Sequence, residues 1–211
     1  DPKKNTETLK EITTEAQRLD AAFLIGGDRP SSPGEFENYG IFIDERGEIS
    51  GEYLKQHPVP FGEYIPFRKY LDWIPPLSLV PRDMVRGTQQ QVFMTNKNEI
   101  KISPVISFEG SFDRYIRKSV VQGAEVVVIL TNQASYGESG MSDQFILMSR
   151  ANAISNNRDI AHAAITGKSA FISGIDGDIY SSSGLFTDAV LIDEIKTSNK
   201  LTLYTRWGNY L

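Results

Sequence analysis

The 211-residue sequence contains no cysteine, and this absence removes several kinds of chemistry at once. Without a thiol there is no disulfide framework, no cysteine-ligated metal and no cysteine nucleophile. Histidine is scarce too, because His57 and His162 are the only two in the chain. We therefore expect no histidine-rich metal site and no cofactor, and we interpret both histidines as structural.

Long apolar runs and clusters of positive charge are missing as well. No run approaches the roughly 18 apolar residues of a membrane-spanning helix, and no signal sequence opens the chain. The net charge is −5 with no Lys/Arg cluster, which argues against nucleic acid as a partner. What remains is 40% hydrophobic and 23% charged, an ordinary globular composition of a size that fits one domain.

Helices and strands are predicted to alternate, with hairpins between some strands. Asn5 or Thr6 caps the first predicted helix, which runs to residue 18; the others are 67–73, a helix from 111 that Gly123 ends, and 142–156 with Ser142 as its cap. The predicted strands are 21–25 (ended by Gly26-Gly27), 38–43, 48–54, 91–94, 99–106, 125–130, 160–166, 170–173, 179–180 and 189–192. Residues 29–37 are predicted to be a loop. The alternation predicts an α/β sandwich with sheets inside and helices outside.

Two proline-containing segments stand out between these elements. Residues 58–66 contain three prolines, which forbid a regular helix or a central strand. Because the segment is also apolar and aromatic, we expect a rigid, packed loop of the kind that often carries functional groups. Residues 74–86 form a second such loop. Its Leu77, Leu79 and Val80 fit surface exposure and core packing equally well.

The stretch 104–112, Pro-Val-Ile-Ser-Phe-Glu-Gly-Ser-Phe, predicts a buried strand that stops at Ser107 just before a helix. A hydroxyl there projects from the carboxyl end of a strand, near free helix N–H groups that can hold an oxyanion. The arrangement resembles the nucleophile elbow of hydrolases, although an ordinary turn with a serine cap has the same residues. Lys55, Glu63 and Glu109 are candidates to support such a nucleophile, although a lone charged residue is usually solvated.

Several motifs resemble those of the apolipoprotein N-acyltransferases, membrane proteins with an extracytoplasmic domain of the nitrilase, or carbon–nitrogen hydrolase, superfamily. The most specific is Tyr-Leu-Lys-Gln-His-Pro-Val-Pro-Phe-Gly-Glu-Tyr-Ile-Pro at 53–66, which resembles the family's lysine motif. Residues 104–109 resemble its nucleophile motif. Weaker likenesses lie at 131–137, 148–153 and 204–209. The match covers essentially the whole chain, and its Asp-Pro opening and Gln-His-Pro-Val-Pro form are similar to actinobacterial members.

This resemblance implies an αββα sandwich, with two mixed β-sheets flanked by helices, and a Glu–Lys–Cys triad. In the family, the cysteine takes an acyl chain from a phospholipid and passes it to the N-terminal lipidated cysteine of a lipoprotein. Lys55 matches the triad lysine, Glu63 a second glutamate that supports the site, and Glu109 the glutamate two residues after the nucleophile. Residues near these positions are the expected substrate contacts: Phe61, Tyr64, Phe108 and Asn132.

The sequence departs from the family pattern at two points. Ser107 occupies the position of the cysteine, and a serine hydroxyl needs a base at the moment of attack, whereas a thiol ionises near about pH 8.5. The serine at position 107 is compatible with an engineered substitution that traps a substrate complex. It is equally compatible with a natural degenerate site. The triad glutamate belongs to a Pro-Glu motif expected before Asp1. We therefore expect 1–211 to be one nitrilase-like extracytoplasmic domain, truncated at its N-terminus and separated from its membrane-spanning segments.

Three functions are compatible with these observations. The first is the catalytic domain of an apolipoprotein N-acyltransferase at the extracytoplasmic face of the cell membrane. Its partners would be a phospholipid acyl donor and an apolipoprotein acceptor, and the loops at 65–85 would face the membrane. The second is a catalytically inactive nitrilase-like binding module of the cell envelope. The third is an amidase of the same superfamily, against which the apolar residues of 65–80 argue.

Overall fold

The protein, seen in a computed structural model that describes residues 6–71 and 73–208, consists of two β-sheets with helices on their outer faces. The helices are α1 (Thr6–Leu19), α2 (Arg68–Leu71), α3 (Asp113–Val121), α4 (Met141–Asn156) and α5 (Leu203–Trp207). The strands are β1 (Phe23–Pro30), β2 (Glu35–Ile43), β3 (Ile49–Leu54), β4 (Asp83–Met84), β5 (Phe93–Met94), β6 (Lys101–Ile106), β7 (Val126–Asn132), β8 (Ile160–Ile165), β9 (Ala170–Ile172) and β10 (Ile179–Ser182). Asn5 lies outside the described residues.

Both sheets are mixed. In the first, β2 pairs antiparallel with β1 and β3, and its first residues pair parallel with β4. The second has the order β10-β9-β8-β7-β6-β5, in which β6, β7 and β8 are parallel and the other pairs are antiparallel. The carboxyl ends of the three parallel strands therefore share one edge, which is where polar side chains can gather. The predicted αββα sandwich is confirmed.

Apolar side chains hold these layers together in two clusters. The cluster between the second sheet and its helices contains Val105, Val127, Ile129 and Ile160 from β6 to β8, together with residues of α3 and α4. The cluster between the two sheets includes Phe42 and Phe93, whose rings stack with centroids 5.1 Å apart. Burial on this scale contributes about 25 cal/mol per Å² of apolar surface.

The first strand is longer than predicted. It does not end at Gly26-Gly27 but continues to Pro30, and residues 29–37 are not a loop, because β2 already begins at Glu35. Gly26 lies opposite Gly40 in the ladder, so the backbone pairing is unbroken. Beyond it, Arg29 forms ion pairs with Glu37 and Glu52, each with a shortest N···O distance of 2.6 Å. The two glycines were interpreted as a strand end because cross-strand partners are invisible in one segment of sequence.

Other predicted boundaries also need correction. The helix predicted from residue 111 begins at Asp113, after a 3₁₀ turn at Ser107–Ser111. Ser142 does not cap α4, because its Oγ accepts a hydrogen bond from the Lys168 N–H instead. The predicted strand at 189–192 is irregular, and Val190 and Ile192 are 88% and 89% exposed. A β-prone sequence forms a strand only where a neighbour offers a ladder and a covered face.

Candidate active site

The elbow after β6 is the most unusual piece of backbone near the shared strand edge. Ser107 follows the last residue of β6 and has φ +52°, in the left-handed region that residues with a side chain rarely adopt. Such a conformation persists only where the surrounding structure holds it, and it is concentrated at functional sites. Gly110 allows this turn to pack closely on β7, since a Cβ there would lie 3.0 Å from Ile129 Cδ1.

Glu109 stabilises the elbow through hydrogen bonds of its carboxylate. Its side chain is fully buried. One carboxylate oxygen accepts hydrogen bonds from Tyr53 Oη at 2.8 Å and the Ile106 N–H at 3.0 Å. The other accepts from the Gln56 N–H and, at 2.9 Å, from the His57 N–H. Burial raises the pKa of Glu109, and these donors counteract that effect. Glu109 thereby ties the elbow to the chain that follows β3.

Lys55 and Glu63 form a buried ion pair in the proline-rich segment that follows β3. Lys55 is fully buried, and its Nζ lies 2.6 Å from each carboxylate oxygen of Glu63, which is 18% exposed. Glu63 also accepts from Asn38 Nδ2 at 3.2 Å and from the Val59 N–H at 2.8 Å. A desolvated lysine is tolerated when a carboxylate neutralises it. The predicted rigid loop thus holds one cation at a fixed position.

A cavity of about 740 Å³ opens between the two sheets at the carboxyl ends of the parallel strands. Three of the predicted site residues, Glu63, Ser107 and Asn132, contribute to its wall. Lys55 is not in the described wall, but its ion-pair partner Glu63 is. The remaining wall is largely apolar and includes Phe36, Leu130, Ala163, Ala164 and Ile165. A charged pair and a hydroxyl at the edge of an apolar space fit chemistry on the polar end of an apolar substrate.

The other predicted substrate contacts are not in the described wall of this cavity. Phe61 is 56% exposed, and its N–H donates to the Tyr64 carbonyl oxygen at 2.8 Å. The Tyr64 ring lies under the Arg86 guanidinium, 5.2 Å from its centroid. Phe108 packs away from the cavity, with its ring centroid 5.6 Å from that of His57 and 4.9 Å from that of Phe112.

The two histidines occupy different surroundings. The His57 ring belongs to an aromatic group with Phe108, Phe112 and Tyr115. Partial burial, followed by the charge of Arg114, lowers the pKa of His57. His162 is 2% exposed on β8, and burial lowers its pKa to about 4. The described residues contain no cluster of three or more acidic or histidine side chains that would hold a metal ion.

Sequence reasoning missed part of the cavity wall. Gly26, Gly27 and Asp28 line it because β1 runs past its predicted end. Ala134 and Ser135 line it because a 3₁₀ turn, Ala134–Tyr136, follows β7. The available signal was the pair of glycines itself, since glycine inside a strand often marks a close approach of backbone or ligand.

The comparisons with known proteins agree with this geometry. The family model for carbon–nitrogen hydrolase matches residues 2–200. The solved amidase from Nesterenkonia sp. superposes with a TM-score of 0.64 over 87% of this chain and 65% of that chain, at 18% sequence identity, which establishes a shared fold. Among the described residues, no helix has both the length and the apolar content needed to cross a membrane.

Curated relatives named apolipoprotein N-acyltransferase match most of the chain. The one from Mycolicibacterium smegmatis is 32% identical over 99% of this chain and 35% of its own length. The one from Geobacter metallireducens is 31% identical over 92% of this chain and 37% of its own length. The chain therefore spans about a third of the relatives that it matches. On the match to residues 2–200, the chain belongs to the carbon–nitrogen hydrolase family.

Proposed function

We propose that this chain is the acyl-transfer domain of an apolipoprotein N-acyltransferase and that Ser107 carries the acyl group. The observation that supports this most strongly is the left-handed elbow of Ser107, on the wall of a cavity that also contains the Glu63 partner of buried Lys55. Relatives of that name match 99%, 92% and 75% of the chain. These relatives are about three times longer than this chain. The phospholipid acyl donor and the lipoprotein acceptor are therefore part of the proposal.

The first chemical step would form an ester on the elbow. Ser107 Oγ attacks the carbonyl carbon of a phospholipid ester, the bond from that carbon to the glycerol oxygen breaks, and the lysophospholipid leaves with a proton. The Lys55 ammonium, oriented by Glu63, stabilises the negative oxygen of the tetrahedral intermediate. The proton of Ser107 passes to a carboxylate base. The glutamate of the family's triad would be that base.

The second step would return the elbow to its starting state. The N-terminal amino group of the acceptor lipoprotein attacks the ester carbonyl, an amide bond forms and the bond to Ser107 Oγ breaks. The oxygen regains a proton as it leaves. An alkoxide leaves less readily than a thiolate because serine is far less acidic than cysteine. We therefore expect an acyl-serine intermediate to persist longer than the thioester of a cysteine enzyme.

The apolar loops at 65–80 support a lipid as the donor. Large side chains project into solvent there: Phe67 is 79%, Tyr70 70%, Trp73 79% and Leu79 83% exposed. Exposed aromatic and aliphatic side chains of this kind are typical of surfaces that enter a membrane interface. We propose that this loop faces the extracytoplasmic side of the cell membrane and that an acyl chain reaches the apolar wall of the cavity from it.

Two other functions remain as outcomes of the test. The solved structural neighbours include the amidase from Nesterenkonia sp., which has an active site cysteine. An amidase of small substrates would not need the exposed apolar loop. A catalytically inactive binding module is favoured by the absence of cysteine. The buried Lys55–Glu63 pair argues against it, because a site without turnover gains nothing from keeping a desolvated charge.

The proposal is tested by adding a fluorescent phospholipid in mixed micelles and separating protein-bound label on a denaturing gel. Label is expected on Ser107, and more strongly on the Ser107→Cys variant, once a carboxylate base is supplied, whereas Ser107→Ala provides the unlabelled control. A chimera with the upstream region of the Mycolicibacterium smegmatis relative supplies the carboxylate base. If Ser107→Cys remains unlabelled in the chimera too, acyl transfer is wrong and the binding module is favoured. Hydrolysis of a small amide without labelling indicates the amidase.

A further inference from the structure

Three buried side chains at the end of the second sheet have polar atoms without a protein partner among the described residues. They are Thr131, through Oγ1; Gln133, through both atoms of its side-chain amide; and His162, through Nε2. Their exposures are 6%, 2% and 2%. Buried polar atoms nearly always have a partner, which is either protein or ordered water. Three such residues in one region therefore require an explanation.

The strand register places these groups on one face. Ile129 lies opposite His162, and Thr131 lies opposite Ala164, in the parallel pair of β7 and β8. Thr131 and His162 are therefore diagonal neighbours, about 8 Å apart at their backbones. Gln133 follows Thr131 by two residues, about 7 Å further along the same face, and its N–H still donates to the Ile165 carbonyl oxygen at 3.1 Å.

The face in question is the one covered by α4. Ser149 of α4 reaches the ring of His162, with 3.0 Å between Oγ and Nδ1. Leu130, between Ile129 and Thr131, points to the opposite side of the sheet, where a Cβ on Gly40 would lie 3.4 Å from it. His162 thus lies between the second sheet and α4, and Thr131, on the same face of the sheet, also lines the cavity.

The donors and acceptors of this group are complementary. Ser149 Oγ donates to the Phe145 carbonyl oxygen at 2.9 Å, so its lone pair accepts the proton on His162 Nδ1. His162 Nε2 is then a bare acceptor. The Thr131 hydroxyl can donate and accept, and the Gln133 amide offers two N–H donors and one carbonyl oxygen. A water molecule can donate to His162 and accept from either of the other two side chains.

We propose that this region, bounded by Thr131, Gln133, His162 and Ser149, is a binding site for ordered water that bridges the three side chains. Side chains on backbones spaced by about 7–8 Å along one face can be bridged by one or two waters with hydrogen bonds of about 2.8–3.0 Å. Buried water typically makes about three hydrogen bonds to polar groups that lack other partners. Through Thr131 the site adjoins the cavity of the proposed acyl transfer, but the assignment of water does not rest on that proposal.

The proposal is tested first by a crystal structure at a resolution that shows ordered water. Density is expected within hydrogen-bonding distance of His162 Nε2 and of Thr131 Oγ1 or the Gln133 amide. A region without density, with the side chains bonded to one another or to the backbone, overturns the proposal.

Thermal unfolding gives a second, independent result. Thr131→Val and Gln133→Met each remove ligands of the water at similar volume, and each is expected to lower the melting temperature by about 2–4 °C. In a dry region, removing an unpaired polar group raises the melting temperature or leaves it unchanged, which overturns the assignment of that side chain. Thr95→Val is the matched control for the loss of a buried hydroxyl whose partner is protein. The Thr95 hydroxyl accepts a hydrogen bond from the Ile100 N–H at 3.0 Å. The double variant is expected to lose less than the sum of the single variants.

Discussion

Two groups of almost equally buried residues differ in their surroundings. What we call the first wall contains Lys55 and Glu109 and reaches the cavity through Glu63. What we call the second wall contains Gln133 and His162 and reaches the cavity through Thr131. The Lys55 ammonium donates to both carboxylate oxygens of Glu63. The Glu109 carboxylate accepts hydrogen bonds from several protein donors. Thr131 Oγ1 and the Gln133 amide have no protein partner among the described residues. The first wall fixes charges by protein contacts alone. For the second, the proposed bridging water would supply the missing hydrogen bonds.

The difference has a physical basis in the cost of burying a charge. An unpaired ion in the interior costs far more than an unpaired hydroxyl or amide, so the chain must supply partners for ions directly. A neutral polar group can be satisfied by water at little cost. Changes made to one wall at a time should therefore differ in size, with the largest effects where a charge loses its partner.

Removing the charge of Glu63 is expected to have the largest effect. Glu63→Gln leaves the fully buried Lys55 ammonium without a counter-ion, so the free energy of unfolding should fall by about 3–5 kcal/mol. Chemical denaturation measures this loss. Asp20→Asn is the control, because its pair with Lys97 is 65% and 57% exposed and should contribute less than about 1 kcal/mol. Equal small losses in both variants would show that the first wall is not held by its buried charge.

Acid is expected to act on the second wall through His162. Burial lowers the pKa of His162 to about 4, against about 6.5 in the unfolded chain. Between these values the unfolded state binds more protons, so stability falls as the pH decreases from about 6.5 to 4. The contribution of this group reaches about 3 kcal/mol at the lower limit.

Titration of the imidazole proton resonances by NMR tests the cause of that loss. The His162 resonance should remain that of a neutral ring until about pH 4. A midpoint near pH 6.5 would show that His162 is accessible to solvent and would remove the contrast between the two walls.

Changing Glu109 to glutamine is expected to have a smaller effect on the first wall. Glu109→Gln keeps the shape but places an NH₂ group against backbone donors, among them the Ile106 and His57 N–H groups. We expect a loss of about 2 kcal/mol in the free energy of unfolding. Tyr53→Phe removes one donor only and is expected to cost about 1 kcal/mol. A Glu109→Gln variant as stable as the parent would mean that Glu109 does not hold the elbow.

Relieving the elbow's backbone strain should give the smallest change, and in the opposite direction. Ser107→Gly removes the side chain at φ +52° and is expected to raise the free energy of unfolding by up to about 1 kcal/mol. Ser107→Ala keeps the strain and serves as the control. If glycine and alanine at position 107 give the same stability, the elbow is not strained.

The sequence predicted the first wall better than the second. The proline-rich segment and the strand that stops at Ser107 contain local signals, and the structure places Glu63 and Ser107 on one cavity. The glycine pair at Gly26 was a local signal of close approach, but it did not indicate the pairing with Gly40 that continues β1 to Pro30. The strand predicted at 125–130 continues as β7 to Asn132, and Gln133, just beyond it, is buried. Whether a polar residue is buried depends on which element lies above it, and one segment of sequence does not contain that information.

Peptide mapping by mass spectrometry tests the central claim most directly. The Ser107→Cys chimera would be exposed to phospholipid, digested and searched for the mass of one acyl chain, alone and with Lys55→Ala added. The account predicts an acyl group on the peptide that contains position 107, and its loss in the Lys55→Ala variant. An acyl group on any other residue, or one that persists unchanged without Lys55, would contradict it.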